Sequence, residues 1–236
     1  MTLPSSGPLS LSDIQGEFGG SNPIGINEYY AGGGLVPSGT TGTYGAVPTS
    51  GQISIQNFYG TSNYIPVYIE DLFCTQIYLG NGSTQTITNN INLSSNGGAV
   101  WFKRRDGAEN HEIYDTARGV GNRILPNTTF EQFSGGTLSA FNSNGFSMSA
   151  GGNTNQSGMT YASWTFRKQP KFFDVVTYTG NGANRTIAHN LGSVPGCIIV
   201  KNLSARPTNW QVYHRGLTSA AYGVQDRKST RLNSSH

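Results

Sequence analysis

The densest run of groups able to do chemistry lies between residues 103 and 123. It opens with Lys103-Arg104-Arg105-Asp106 and continues through Glu109, Asn110, His111, Glu112, Asp115, Arg118 and Arg123. Arginine offers a planar fork to anions, so Lys103-Arg104-Arg105-Asp106, with Arg118 and Arg123, forms a candidate surface for a charged glycan or a phosphate. Asp106 and Asn110 lie in an Asp/Asn/Gly-rich loop whose oxygens can hydrogen-bond sugar hydroxyls or hold calcium; residues 151–158 form a second such loop. Turn formation and a solvated strand end account for the same residues without any ligand. The carboxylates Asp106, Glu109, Glu112 and Asp115 are numerous enough for glycoside hydrolysis, which needs two of them facing one cleft. All four fall within ten residues on one expected hairpin, so solvated loop charges are the plainer reading.

Other catalytic patterns fail on their own terms. His111-Glu112 begins like a zinc-protease motif, but position 115 is Asp and the segment is strand-like, so two helical ligands on one face do not arise. Gly119-Val-Gly121 lacks the six-residue glycine fingerprint and a following helix, and no phosphate-binding Gly-Lys-Ser/Thr loop occurs. His111, His189 and His214 are too dispersed for a metal cluster or for the base of a nucleophilic serine. A non-enzymatic protein with no metal, no cofactor and no catalytic residue is the expectation.

The elements that would carry these residues follow from composition and periodicity. Of 236 residues, 32 are Gly and 22 Asn, whereas only 11% are charged, against about 25% in an ordinary globular chain. Short strands joined by tight turns are the matching architecture. Alternation or apolar runs place strands at 84–91, 99–103, 112–115, 141–148 and 161–167. Asn-Gly pairs at 81–82, 96–97 and 144–145 supply the left-handed positions of hairpins. With no 10–15-residue helical pattern between strands, the fold class is all-β, a β-sandwich of the jelly-roll kind. Its core is expected to rest on Trp101, Phe102, Tyr114, Phe141, Phe146, Tyr161, Trp164 and Phe166. Cys74 and Cys197 read as small buried apolar residues rather than a disulfide.

Two repeats divide the chain. YLGNGSTQTITNNI from Tyr78 and YTGNGANRTIAHNL from Tyr178 share seven of fourteen positions at an offset of 100 residues. A β module at 64–170 and a truncated second module at 171–225 are therefore expected. Upstream, residues 9–14 (LSLSDI), 24–29 (IGINEY) and 53–58 (ISIQNF) share a pattern of apolar, small, apolar, polar, Asp/Glu/Asn, then apolar or aromatic. The Gly/Ser/Thr-rich stretches between them predict that 1–63 is an extended docking or oligomerisation region without its own core. Ser12 and Gln15 are placed to cap one helical turn at 13–18.

Residues 226–236 (DRKSTRLNSSH) resemble a translated sequencing-adapter oligonucleotide and are expected to be non-native, with the natural chain cut at about Gln225. Without Asp226, Arg227, Lys228 and Arg231 the chain keeps 12 basic and 11 acidic residues, so the net charge falls from +3 to +1. That removes the basic excess a nucleic-acid partner would need. No run approaches the roughly 18 apolar residues of a membrane span, and residues 1–18 lack the basic start and apolar stretch of a signal peptide. Neither membrane insertion nor export by that route is expected.

GPLSLSDIQGEFGGSNPIGINEYY at 7–30 resembles the leader of structural proteins of marine cyanobacterial phages. EDLFCTQIYLGNGSTQTI, VWFKRRDGAENHEIYDTARGVG, FNSNGFSM, YASWTFRKQPKFFDVVTYTGNG and RTIAHNLGSVPGCIIVK are similar to modules of tail-fibre-like proteins of those phages. The resemblance covers nearly all of 1–217. It implies a virion component of the phage tail, synthesised in the host bacterial cytoplasm, with concanavalin-like (laminin-G-like) sandwiches as its modules. It also implies sister chains in a homotrimer, other tail or baseplate proteins, and a host-surface glycan or protein as partners. No catalytic residue of that family transfers, because the matching motifs are strand and turn positions. An envelope-polysaccharide depolymerase and a secreted carbohydrate-binding lectin are the alternatives.

Overall fold

A computed structural model describes residues 2–63, 67–204 and 207–217. The expectations for 226–236 and for a cut at Gln225 lie outside the described residues. The chain divides into two compact units, Met1–Val67 and Tyr68–His236.

The first unit corrects the expectation of an extended region. Each copy of the six-residue pattern is a turn closed by its fifth residue, which accepts the backbone N–H of its second. Asp13 Oδ2 accepts from Ser10 N at 2.9 Å, Glu28 Oε1 from Gly25 N at 2.8 Å and Asn57 Oδ1 from Ser54 N at 2.8 Å. The first copy leads into helix α1 (Leu11–Phe18), with Ser10 Oγ accepting from Asp13 N. The cap is thus Ser10 with Asp13, not Ser12 with Gln15. The other copies form the 3-10 turns Ile26–Glu28 and Ile55–Phe58. The sixth residues, Ile14, Tyr29 and Phe58, are fully buried in one cluster with Phe18, Val36 and Val47. Phe58 meets both Phe18 and Tyr29 edge-on, at 6.0 and 6.1 Å between ring centres. Strands β1 (Thr41–Gly42) and β2 (Gly45–Ala46) form a minimal hairpin beside it.

The second unit is all-β, with two antiparallel sheets packed as a sandwich. Its elements are β3 (Phe73–Leu79), β4 (Gln85–Thr88), the short helix α2 (Leu93–Asn96), β5 (Gly98–Arg104), β6 (Glu112–Asp115), β7 (Leu138–Asn142), β8 (Gly145–Met148) and β9 (Thr160–Arg167). One sheet has the order β3-β9-β5-β6 and the other β4-β8-β7. Strand β3 was absent from the pattern-based set, and 141–148 is a hairpin rather than one strand. Asn144-Gly145 turns that hairpin, whereas Asn96-Gly97 ends α2. Strand β4 stops early because Asn90 takes a left-handed φ of 63°, while Asn89 Oδ1 receives the Ile91 N–H. A last hairpin pairs β10 (Cys197–Val200) with β11 (Gln211–His214).

The core between the sheets contains Tyr78, Ile87, Val100, Phe102, Tyr114, Leu138, Phe146, Met148 and Tyr161. Phe102 meets Phe146 at 5.2 Å and Tyr114 at 5.7 Å, both edge-on. Side chains alternate between faces along a strand, so Val100 and Phe102 point inward and Trp101 outward; Tyr161, Ser163 and Thr165 are inward and Trp164 and Phe166 outward. Trp101, Trp164 and Phe166 therefore leave the expected core list, and Phe141 packs at its margin. Cys74 is half-buried and Cys197 exposed, both as free thiols. Among the described residues no helix is long and apolar enough to cross a membrane.

Buried hydroxyls need partners, and Tyr114 has two. It donates to Glu112 Oε2 at 2.6 Å and accepts from Thr137 N at 3.1 Å. Tyr114→Phe removes one donor to Glu112, leaves the buried Thr137 N–H unpaired and is expected to cost about 1–3 kcal/mol in denaturant unfolding. A change under about 0.5 kcal/mol would show that these bonds do not support the fold.

Candidate functional site

The hairpin joining β5 to β6 is held by the charges singled out in the sequence. Lys103 Nζ donates to Arg104 O and to Gly107 O at 2.9 Å. Arg104 donates through Nε to Asp106 Oδ1 at 2.8 Å and through Nη1 to Gln156 Oε1 at 3.1 Å, with Glu109 Oε1 3.7 Å away. Asp106 Oδ2 receives Thr160 N at 2.8 Å and Thr160 Oγ1 at 3.1 Å, fastening the loop to the start of β9. The bonds from Arg104 and Thr160 lower the Asp106 pKa to about 2. Asn110 accepts from Asn127 Nδ2 at 2.8 Å, so this loop is also tied to 122–133.

The predicted residues are thus only partly brought together. Lys103, Arg104, Arg105 and Asp106 share one turn, but only the exposed Arg105 has a side chain free of a described partner; its backbone N–H bonds Thr160 O. Arg118 stands apart. Its side chain is 5% exposed, ion-paired with Asp115 at 2.6 Å and bonded to Ile113 O at 3.1 Å, which corrects the idea of an available anion fork. The four carboxylates do not converge on a cleft. Glu112 faces the sandwich interior, where burial pushes its pKa up, Asp115 belongs to Arg118, and Asp106 and Glu109 belong to Arg104. Among the described residues no three His, Cys, Asp or Glu are grouped to hold a metal.

A second constellation occupies the outer face of the four-stranded sheet. The register sets Thr75, Trp164, Trp101 and Ile113 in one row across β3, β9, β5 and β6. Phe73, Phe166 and Ala99 form the next row, and Ile77, Ala162 and Lys103 the row on the other side. The two half-buried indoles meet edge-on at 6.2 Å. Trp101 Nε1 donates to His111 Nδ1 at 2.9 Å, and the two rings lie edge-on at 5.8 Å. Burial, and then the Lys103 charge, lower the His111 pKa, so the imidazole is neutral at pH 7. A neutral imidazole accepting at Nδ1 carries its proton on Nε2 and can donate there. On β3 the same face continues with Ile77 and Leu79, each 58% exposed.

This face escaped the sequence analysis because the aromatics were weighed by size. The usable signal was parity: in AVWFK, assigning Phe102 to the core forces Trp101 outward.

Residues 69–235 match the family described as a domain of unknown function (DUF7483). No curated protein and no solved structure matches the chain.

Because the Asp106 pKa is lowered in the folded chain, its ionised form stabilises the hairpin fully above its ordinary value of about 3.9. That contribution is lost as pH falls through about 2. The protection factor of the Thr160 amide, its exchange rate relative to the unstructured rate at the same pH, is expected to fall across this acid window in the native chain, and to be low already at neutral pH in Asp106→Ala. Equal protection of Thr160 in both proteins at neutral pH would refute the clamp.

Proposed function

The chain belongs to the DUF7483 family, and from the resemblance of its motifs to phage tail-fibre modules we propose that it is a non-enzymatic structural protein of a phage virion, tail-fibre-like, presenting β modules to the host surface. The observation that carries the adhesive part is the Trp101–His111–Trp164 face. Saccharide sites combine aromatic surface with a few directed polar groups. Here half-buried indoles offer surface for the C–H faces of a pyranose, and His111 Nε2–H beside them offers a donor for a ring hydroxyl. The charged hairpin 103–110 borders this face, and Arg105 is its free cation. A homotrimer of sister chains, attached to other tail or baseplate proteins, would repeat such a site. Weak sites then act together by raising one another's effective concentration. The repeated sequence at Tyr78 and Tyr178 fits a protein that gains reach by duplicating a module.

The test is calorimetry of the full chain against purified host-envelope polysaccharide. Binding is expected to weaken at least tenfold in Trp164→Ala, with circular dichroism unchanged, and to decline as acid protonates His111 and removes its acceptor for Trp101. Equal binding by native chain and variant would remove the site. No binding by a multimerised native chain to any envelope fraction would leave a spacer role alone.

A further inference from the structure

Every second residue of β5 lies on the outer face of the four-stranded sheet, and there Trp101 is followed by Lys103. Arg105 continues the series, because its N–H bonds Thr160 O at 2.8 Å, one step past the Arg104–Tyr161 pair. At the rise of an antiparallel strand, Lys103 stands about 7 Å and Arg105 about 14 Å along the chain from Trp101. His111 is opposite Lys103, one step past the Phe102–Glu112 pair. The face therefore runs from an aromatic platform to a cationic end.

Neither cation is neutralised. Arg105 is exposed and its side chain has no partner among the described residues. Lys103 gives two of its three N–H groups to Arg104 O and Gly107 O, neutral carbonyls that leave its charge uncompensated. Its effect at the site is visible in His111, whose pKa is lowered by burial and then by the Lys103 charge. The carboxylates of the same hairpin are engaged elsewhere. Asp106 and Glu109 hold Arg104, which has the inward parity of its partner Tyr161. Glu112 is in the sandwich interior, and Asp115 is paired with Arg118. Neither Phe73–Leu79 nor Thr160–Phe166 carries a charge. Glu70 and Asp71 precede Phe73, at the end of the sheet away from Arg105.

We propose that the ligand of this face is an acidic saccharide, a pyranose bearing a carboxylate, with its ring against Trp101 and Trp164 and its carboxylate toward Lys103 and Arg105. This rests on the saccharide reading of the same face, to which it adds the charge of the sugar. Arginine's planar fork takes both oxygens of a carboxylate, so Arg105 is the direct partner. The Lys103 charge and the His111 Nε2–H support it from the side of the indoles. A neutral sugar covering the same area dehydrates both cations without supplying a counter-charge, and that difference is the source of discrimination.

The test is calorimetry of the full chain against host-envelope polysaccharide in two forms, intact and with its carboxylates chemically reduced to primary alcohols. The intact form is expected to bind about tenfold more tightly at low ionic strength, the scale of one hydrogen-bonded charge. Only its binding is expected to weaken as salt is raised. Arg105→Gln is expected to bring the ratio below about threefold while affinity for the reduced form stays unchanged. Trp164→Ala is expected to weaken both forms alike. Lys171→Gln removes an exposed charge in the linker to the second copy and is expected to keep the native ratio. Equal binding of the two forms by the native chain overturns the proposal and leaves a site for a neutral sugar. A native ratio in Arg105→Gln also overturns it, as does a loss in Lys171→Gln as large as that in Arg105→Gln, which would mark general attraction of a polyanion. Binding of neither form removes the saccharide reading and the proposal together.

Discussion

Three tyrosines carry hydroxyls into the sandwich core, and satisfying them dictates where the loops go. Tyr78 donates to Thr154 O at 2.8 Å, Tyr161 accepts from Gln156 N at 3.0 Å, and Tyr114 is bound by Glu112 and Thr137. A chain with few aliphatic residues builds its core from aromatic surface instead, and each tyrosine then brings a polar tip that must not be left unpaired. The loop at 149–158 is the answer for two of the three. Asn155, fully buried, locks that loop to the first hairpin by accepting from Asn81 N and donating to Ser83 O and Ser149 O. Gln156 of this loop in turn receives Arg104, so the hairpin bordering the candidate site is positioned by the same constraint. The Asn- and Gly-rich loops that looked suited to calcium or sugar are thus joined to the core by hydrogen bonds.

Period-2 alternation was sufficient to place most strands of the sandwich, because burial on one face imposes it directly. It did not by itself say which aromatics were inside. Size favours burial, yet Trp101 and Trp164 are outward because their neighbours Val100, Phe102, Ser163 and Thr165 fill the inner face. Serine and threonine at zero exposure beside an outward tryptophan invert the hydropathy rule. The register of β9 against two strands enforces that inversion, and local composition does not encode it. Strand β3 was missed for a related reason: its outer face carries Ile77 and Leu79 and its inner face Gln76 and Cys74, so the alternation is blurred.

The N-terminal unit shows the converse failure. The six-residue pattern was visible three times, but its fifth position was not recognised as a cap. One hydrogen bond accepted by that side chain from the backbone N–H three residues back folds each copy into a turn, and folding the turn delivers the sixth residue inward. Glycine-rich connections do not prevent a core when the apolar residues are delivered by such turns. Ser10-Asp13 and Ser12-Gln15 have equal spacing, and the former wins because it starts the helix where Ile14 and Phe18 fall on one buried face.

The same logic separates what a module needs from what it displays. Turns such as Asn81-Gly82 and Asn181-Gly182 close locally, so both copies form them alike. Burial of Tyr78 requires β8, β9 and the 149–158 loop, elements far along the chain. Among the described residues the second copy has the local half of this set, and Tyr178, Ile198 and Ile199 are exposed. Local bonds therefore specify the shape of a module, while its stability comes from strands that arrive last.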